Sequence, residues 1–314
     1  MDAKGFHFDI SQKPDLLQKL LTTTFDWSPT VGKKILFLGM GSSHFANVAI
    51  TDLLNQFEMS THALLASASE LPHLDSNSVV IAVSASGNSI ETLAALDLVP
   101  VGVTKIALTN NPNSKIAEKV DHVIELHAGV ETGGVAVLTY LATLVALLRL
   151  VQKRSTFDFP SESLLKAVDS LRNIISTQDQ WLPELRAKAV SPDGTFVAAP
   201  LSRLCSASQS ALMLREGPRV LAVASEVGDW SHIDVYLTKA KDYRLIVFPG
   251  SVWTEQMLDW TTQRNSTVIA IGHELVSAAL NLRYINDDDT YVRLMCEVTY
   301  CEILSAHLWM EQLA

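Results

Sequence analysis

The sequence predicts an α/β protein with two doubly wound, parallel-sheet domains of the flavodoxin-like type, joined by a helical linker. Short β-branched runs alternate with helical patterns in the first half of the chain, and the same alternation returns after about residue 194. Strands that alternate with helices need crossover connections, which produce a parallel sheet covered on both faces. Two polar, helix-like segments separate the halves, so we predict domains at 1–152 and 195–314 with a linker at 153–194.

Local patterns predict the elements of the first half. Apolar, β-branched runs predict strands at 35–38, 63–66, 79–83, 105–108 and 122–126, and the stretches between them predict helices at about 45–57, 90–96 and 135–151. The last helix is apolar nearly all round. It is shorter than the roughly 20 residues that cross a bilayer, and it lacks basic and aromatic anchors. We therefore predict a buried core helix and no membrane partner.

The second half repeats this pattern. The linker contains predicted helices at 161–176 and 178–190. After the linker we predict strands at 195–199, 220–224, 245–248 and 267–271, and helices at about 206–216, 253–264 and 292–313. Asp287-Asp288-Asp289 is predicted to be a solvated turn before the last helix, where acidic side chains favour the positive end of the dipole.

Composition limits the class of protein. The 314 residues are 48% hydrophobic and 18% charged, which is typical of a globular protein of about two domains. The net charge is 24 − 34 = −10 without a basic cluster, which argues against a nucleic-acid partner. The three cysteines form no Cys-x-x-Cys pair, the start has no apolar signal core, and Asp2 excludes an N-terminal cysteine nucleophile. A cytoplasmic location is expected.

The first candidate loop follows a predicted strand and opens a helix. It reads Gly39-Met40-Gly41-Ser42-Ser43-His44, and its glycines let the backbone approach a ligand beside the helix start. A dinucleotide fingerprint needs a third glycine where His44 stands, so the pattern is weak evidence for NAD. We expect no cofactor.

The second candidate loop, Ser84-Ala85-Ser86-Gly87-Asn88-Ser89, also links a strand to a helix. Its hydroxyls and N–H groups can surround an anion without a cation, which suits a phosphate monoester. The alternative is that these side chains only cap the helix. No metal site is predicted, because His273-Glu274 has no second histidine four residues later.

Three segments together resemble the sugar-isomerase (SIS) domain. They are Gly41-Ser42-Ser43, the stretch from Ser84 to Thr92, and Gly129-Val130-Glu131-Thr132-Gly133-Gly134-Val135-Ala136. The resemblance extends over nearly the whole chain, to the double-SIS group that includes the isomerase half of glucosamine-6-phosphate synthase and the fructosamine-6-phosphate deglycases. It implies that Ser43, Ser84, Ser86 and Ser89 contact phosphate and Ser42 a sugar hydroxyl, with Gly41 and Gly87 shaping these loops and Glu131 lying on the far side of the pocket.

The second half resembles the catalytic part of the same family. Ala211-Leu212-Met213-Leu214-Arg215-Glu216 is similar to the helix that carries the family's catalytic glutamate, and Gly228-Asp229-Trp230-Ser231-His232 to the loop with its catalytic histidine. Moving a carbonyl between C1 and C2 needs a base that takes and returns a proton, and a carboxylate with a raised pKa can do this. Ring opening or protonation of a leaving amine suits a histidine.

Several positions depart from the synthase. Met213 stands where the synthase has a lysine, and the synthase's lysine near the C-terminus has no counterpart in residues 308–314. Ala85 stands where the synthase has a glutamine. No glutamine-hydrolysing domain is expected before the fold. Ala199-Pro200-Leu201 replaces the second half's own glycine loop. The deglycase-like members keep the Glu–His pair without those lysines, which favours them.

The resulting hypothesis is a metal-independent enzyme that acts at C1/C2 of a ketose or ketosamine 6-phosphate, as an isomerase or as a deglycase or deaminase. The resemblance also implies a homodimer with the site at the subunit interface. The alternative function is a sugar-phosphate sensor without turnover, although no helix-turn-helix domain accompanies it and a retained Glu216/His232 pair would then be idle.

Overall fold

The computed structural model describes residues 1–57, 59–155, 161–240 and 242–313. The chain divides into two compact units. The first-sheet unit comprises residues 16–130 and 136–160, and the second-sheet unit comprises residues 1–15, 131–135 and 161–314. Helix α1 (Ala3–Leu20) contributes residues to both units.

The first sheet contains five parallel strands, in the order β2-β1-β3-β4-β5. Strand β3 is buried along its whole length, because its apolar run occupies the centre of the sheet. The elements of this unit after α1 are β1 (Lys34–Gly39), α2 (Gly41–Asn55), β2 (Thr61–Leu65), β3 (Ser78–Val83), α3 (Ile90–Asp97), β4 (Thr104–Thr109), β5 (His122–Glu125) and α4 (Leu138–Arg154).

Helix α4 is the apolar segment that the sequence predicts as a core helix, and this prediction is confirmed. Most of its side chains are buried on every face, including Tyr140 and Thr143. Among the described residues, no helix combines the length and the apolar character that a membrane crossing requires.

The second sheet repeats the topology of the first. Its order is β10-β9-β8-β6-β7, all parallel. Counted from each sheet's own first strand, both sheets have the order 2-1-3-4-5, which confirms two parallel α/β sheets of the flavodoxin-like type. The elements are α5 (Ser161–Ser176), α6 (Gln178–Ala189), β6 (Thr195–Ala199), α7 (Leu204–Glu216), β7 (Ala222–Glu226), α8 (Val227–Trp230), β8 (Arg244–Val247), α9 (Thr254–Gln263), β9 (Thr267–Ile271), β10 (Leu280–Leu282), α10 (Thr290–Cys296) and α11 (Thr299–Gln312).

Four short 3-10 helices complete the described secondary structure, at Ser28–Thr30, Ala117–Lys119, Leu201–Arg203 and Asp234–Lys239. Three elements were not predicted: α1, α8 and β10. The predicted helix at 292–313 is divided into α10 and α11 at residues 297–298, and β7 begins and ends two residues later than expected.

Helices α5 and α6, expected as a linker, pack inside the second-sheet unit. Ser163 donates a hydrogen bond of 2.7 Å to Asp289, and Arg186 forms an ion pair of 2.7 Å with Glu311. Residues 156–160 of the predicted linker lie outside the described residues. The predicted domain limits at 152 and 194 remain a proposal.

The run Asp287-Asp288-Asp289 forms the expected turn before a helix, but the expectation that it is solvated is wrong for Asp287. Asp287 is buried and accepts two hydrogen bonds from the guanidinium of Arg283, one of them 2.7 Å long. Asp289 caps α10, accepting from the N–H groups of Tyr291 at 2.9 Å and Val292 at 3.3 Å. The acidic run therefore anchors the start of α10 rather than lying free in solvent.

Candidate functional site

The two predicted phosphate loops leave the same edge of the first sheet. Strands β1 and β3 are parallel neighbours with Leu38 opposite Ala82, so residues 40–43 and 84–89 emerge side by side. This is also the point where the strand order reverses, because β2 lies on one side of β1 and the later strands on the other. Open α/β sheets bind ligands at such a point. The structure thus brings together the predicted residues Gly41, Ser42, Ser43, Ser84, Ser86, Gly87 and Ser89.

The start of α2 is open for an anion. Its N-cap, Met40, makes no side-chain capping bond, and Gly41 begins the helix with a φ of +51°. The N–H of Ser43 bonds back to the Met40 carbonyl at 3.1 Å. The first N–H groups of a helix have no acceptor within the helix, and its dipole favours a negative charge there. Ser42 and Ser43 are half-buried in this first turn.

Backbone hydrogen bonds hold the 84–89 loop. The Gly87 N–H bonds to the Ser84 carbonyl at 3.0 Å, and the Gly87 carbonyl accepts from Ile116 at 3.0 Å. Gly87 has a φ of +67°, and a Cβ atom there would overlap the hydroxyl of Ser114. Only glycine fits this position, so this loop conformation depends on the absence of a side chain at residue 87.

The serines of this loop have different roles. Ser89 caps α3: its Oγ accepts from the Thr92 N–H at 3.3 Å and donates to the Glu91 carboxylate at 2.9 Å. Ser86 is exposed, and its hydroxyl accepts a 3.2 Å bond from the Asn88 N–H. Ser84 is buried. The capping alternative therefore applies to Ser89, and Ser86 has the most accessible hydroxyl.

Asn110 fixes the start of the third segment. Its side-chain amide donates to the Gly129 carbonyl at 2.6 Å and accepts from the Ala128 N–H at 2.9 Å. Asn110 was not recognised from the sequence. Its signal was its position directly after β4, at the same edge of the sheet.

Glu131 lies in the second-sheet unit, in a segment that packs against α1. The buried carboxylate of Asp9 accepts hydrogen bonds from the N–H groups of Thr132 at 3.0 Å and Gly133 at 2.7 Å. Asp9 was not recognised, because no helix is predicted before residue 35. The apolar spacing of Phe6, Ile10, Leu17 and Leu20 was the available signal, and buried Asp9 and Lys13 on the same face obscured it.

Glu216 is the last residue of α7 and is half-buried. Burial raises the pKa of its carboxyl above the usual range, and the nearby positive charge of Arg219 opposes this shift. A partly desolvated carboxylate with a raised pKa can accept and return a proton near neutrality. Met213, one turn earlier, is fully buried, so the position of the synthase lysine belongs to the core here.

His232 lies on the exposed surface after α8. Glu226 caps α8 by accepting from the N–H groups of Gly228 at 2.7 Å and Asp229 at 2.9 Å. The His232 N–H then bonds to the Asp229 carbonyl at 2.8 Å. These bonds fix the backbone of His232 at the carboxyl end of β7.

Glu216 and His232 lie at opposite edges of the second sheet. Glu216 ends the helix that leads into the start of β7, whereas His232 follows the end of β7. Five residues of strand separate these edges by about 16 Å. The structure does not bring the predicted pair together within one chain.

The first-sheet unit is thus a doubly wound α/β unit with an anion-suited edge at its switch point. Residues 30–153 match the SIS domain family, and the chain carries a SIS domain over this range.

Curated relatives with similar sequences are glutamine–fructose-6-phosphate aminotransferases (isomerizing). The protein from Sulfurisphaera tokodaii is 23% identical over 275 residues, which cover 86% of this chain and 45% of that protein. The protein from Pyrococcus horikoshii is 24% identical over 329 residues, covering 96% and 54%. The chain therefore spans about half the length of these relatives.

Solved structures share the fold at lower identity. The C-terminal domain of the glucosamine–fructose-6-phosphate aminotransferase from Francisella tularensis has a TM-score of 0.76 at 17% identity, covering 96% of this chain and 95% of that one. The tagatose-6-phosphate ketose/aldose isomerase from Escherichia coli gives 0.75 at 15%, covering 99% and 95%. The glucosamine-6-phosphate deaminase from Thermotoga maritima gives 0.73 at 16%, covering 98% and 95%.

Proposed function

We propose that this protein is an enzyme that acts at C1/C2 of a ketose or ketosamine 6-phosphate, as an aldose–ketose isomerase or as a deaminase or deglycase. One observation carries the proposal: the start of α2, which has no side-chain cap, lies beside a hydrogen-bonded serine loop at the switch point of a SIS domain. The names of the similar proteins support the substrate class, because each contains a hexose or hexosamine 6-phosphate.

The phosphate is held by neutral donors. Ser43, Ser84, Ser86 and the first N–H groups of α2 surround the phosphate oxygens, and Ser89 orients the loop as the cap of α3. Ser42 contacts a sugar hydroxyl. Neutral donors and a helix dipole bind a phosphate monoester without a lysine, which suits a substrate that must be released after each turnover.

Glu216 is the proposed base. Its carboxylate takes a proton from one of the two carbons and returns it to the neighbouring carbon, with the electron pair held on the carbonyl or imine between these steps. The adjacent carbonyl or imine acidifies the C–H bond, so the proposal includes no metal or organic cofactor. His232 transfers protons during ring opening or departure of an amine.

A homodimer completes this site. Because Glu216 and His232 lie at opposite edges of the sheet in one chain, we propose that His232 acts in the site of a second copy. Light scattering at micromolar concentration should report twice the chain mass. Mixed and reassembled Glu216→Gln and His232→Asn proteins should recover about one quarter of wild-type activity, since half the dimers carry one intact site. A monomeric mass would contradict this part of the proposal.

The decisive experiment is proton NMR in D2O with hexose, hexosamine and fructosyl-amine 6-phosphates. Loss of a C1 or C2 proton signal is expected, and the product identifies the reaction. Glu216→Gln should abolish the exchange while phosphate-dependent binding remains. Binding of these compounds without exchange or product would favour the sensor instead, and full turnover by Glu216→Gln would exclude this residue as the base.

A further inference from the structure

Asp9 holds the segment that carries Glu131. Its carboxylate is fully buried and accepts three hydrogen bonds: from the Gly133 N–H at 2.7 Å, the Thr132 N–H at 3.0 Å and the Thr132 hydroxyl at 2.7 Å. Charge-assisted hydrogen bonds of this kind are roughly twice as strong as neutral ones. Residues 131–134 are therefore bound to one side chain of α1.

The backbones of α1 and this segment also lie in direct contact. A Cβ atom at Gly133 would overlap the backbone of Phe6, and a Cβ atom at Gly5 would lie 2.8 Å from the Gly133 nitrogen. The Gly133 carbonyl accepts from the Asp2 N–H at 3.0 Å. Two glycines thus permit an approach that side chains would prevent.

The same turn of α1 contacts the end of α7. The Phe6 ring lies 6.1 Å from the Trp309 ring, and a Cβ atom at Gly217 would meet Phe6 at 3.8 Å and Trp309 at 3.2 Å. The Gln312 amide donates to the Pro218 carbonyl at 2.6 Å. Phe6 therefore joins the segment that carries Glu131 to the residue that follows Glu216.

A buried ion pair anchors α1 one turn further on. Lys13 bonds to the Glu302 carboxylate at 2.5 Å and to the Thr299 hydroxyl at 2.7 Å, and all three side chains are buried. Lys13 and Asp9 are four residues apart and lie on the same helix face. The helix is thereby fixed to α11 while Asp9 holds the loop.

We infer that Asp9 is a positioning residue, which sets the place of residues 131–134 relative to Glu216 through α1. This inference rests on the proposed function, together with the family resemblance, which implies that the segment with Glu131 lies on the far side of the same pocket. Asp9 does not touch the substrate. Its loss should weaken substrate binding more than it slows proton transfer, because the bond from Arg219 to the Glu216 carbonyl does not involve α1.

The first measurement needs no substrate. Amide hydrogen exchange of residues 131–134 should be at least about tenfold faster in Asp9→Asn, because an amide nitrogen facing the Gly133 N–H cannot accept its bond. Thr132→Val, at an exposed position, should accelerate exchange less, and Thr132→Ser should restore protection by returning the hydroxyl. Unchanged exchange in both Asp9→Asn and Thr132→Val would overturn the inference.

The second measurement separates positioning from simple stabilisation. With the substrate that the NMR panel identifies, Asp9→Asn should raise KM at least tenfold and change kcat less than threefold. Asp287→Asn is the matched control, because Asp287 is also buried and also accepts bonds at a turn of the same unit. It should lower the unfolding temperature without changing KM. Faster exchange with unchanged KM would leave Asp9 a structural contact and overturn its positioning role.

A positioning role of Asp9 can also be tested if the proposed catalytic activity is absent. If wild type turns over none of the sugar phosphates, calorimetric titration with fructose 6-phosphate replaces the kinetic test. A Kd at least tenfold weaker in Asp9→Asn than in wild type and Asp287→Asn would support the positioning role. Equal Kd values, or no binding by wild type, would overturn it.

Discussion

The guanidinium of Arg219 donates a hydrogen bond to the backbone carbonyl of Glu216. A second bond of 3.3 Å reaches the carbonyl of Arg215, so one side chain closes the last turn of α7. Arg219 itself has a φ of +58°, which turns the chain sharply towards β7. The same positive charge counteracts the effect of burial on the Glu216 carboxyl. The end of this helix therefore sets both the position and the proton affinity of the candidate base.

Removing that charge should shift the pH dependence of catalysis. In Arg219→Met the pKa of Glu216 should rise further, because desolvation raises it and the opposing charge is lost. The base form then appears only at higher pH, so the acid limb of kcat/KM should move upward in pH. At a pH on this limb we expect activity to fall by up to about fivefold, since exposed charge pairs contribute about 0.2–1 kcal/mol. Arg215→Met, one position before Glu216, should leave the profile unchanged, and an unshifted limb in Arg219→Met would contradict the prediction.

Gly87→Ala should abolish binding at the serine loop. The new Cβ would overlap Ser114 and lie 3.0 Å from Thr109 Oγ1, in addition to the strain of a positive φ. Gly102→Ala is the control, because Gly102 also has a positive φ but nothing lies within 4 Å of a Cβ there. Both variants should lose about 1 kcal/mol from backbone strain. Fructose 6-phosphate should raise the unfolding temperature of Gly102→Ala but not that of Gly87→Ala. An equal rise in both variants would contradict a binding role for the serine loop.

Substitutions of Ser86 and Ser89 should affect different properties: the first phosphate binding and the second helix stability. Ser89→Ala removes the cap of α3 and should cost about 1 kcal/mol of unfolding free energy in urea. Ser86→Ala should leave stability nearly unchanged, because its hydroxyl is exposed, but should weaken fructose 6-phosphate binding in calorimetry. If Ser86→Ala bound as well as wild type, this hydroxyl would not contact the phosphate.

The buried ion pair of Arg203 and Glu297 should make the second-sheet unit sensitive to the loss of one partner alone. Arg203 also donates to the Pro249 carbonyl after β8. Arg203→Met leaves a buried carboxylate without its partner and should cost about 3–5 kcal/mol. Replacing Glu297 as well, by methionine, should recover most of this loss.

The single variant should also respond to pH. Burial already raises the pKa of Glu297 above the usual range of a carboxyl, and loss of Arg203 should raise it further. A carboxyl whose pKa is raised by folding binds its proton more tightly in the native state, so stability falls as the pH rises above the unfolded pKa. Urea unfolding at a series of pH values should show this fall in Arg203→Met and not in the double variant. A flat profile in the single variant would contradict it.

Local sequence patterns determined the bounds of several strands and helices of this protein. Strand β6, strand β9 and helix α5 begin and end where the sequence predicts, because their apolar periods are uninterrupted and turn residues bound them. The serine and glycine loops were recognisable for the same reason, since each directly follows a strong strand. Residue types near one another in sequence were enough to indicate an anion site.

Only the tertiary structure decided which distant residues meet. Helix α1 was not predicted because Asp9 and Lys13 interrupt its apolar face. Both side chains are buried because they bond to partners more than 100 residues away in sequence. Glu216 and His232 are 16 residues apart in sequence, and this separation does not show that strand β7 lies between them. A sequence records local propensity and side-chain chemistry, whereas packing against distant segments determines whether a buried charge finds its partner and at which edge of a sheet a side chain lies.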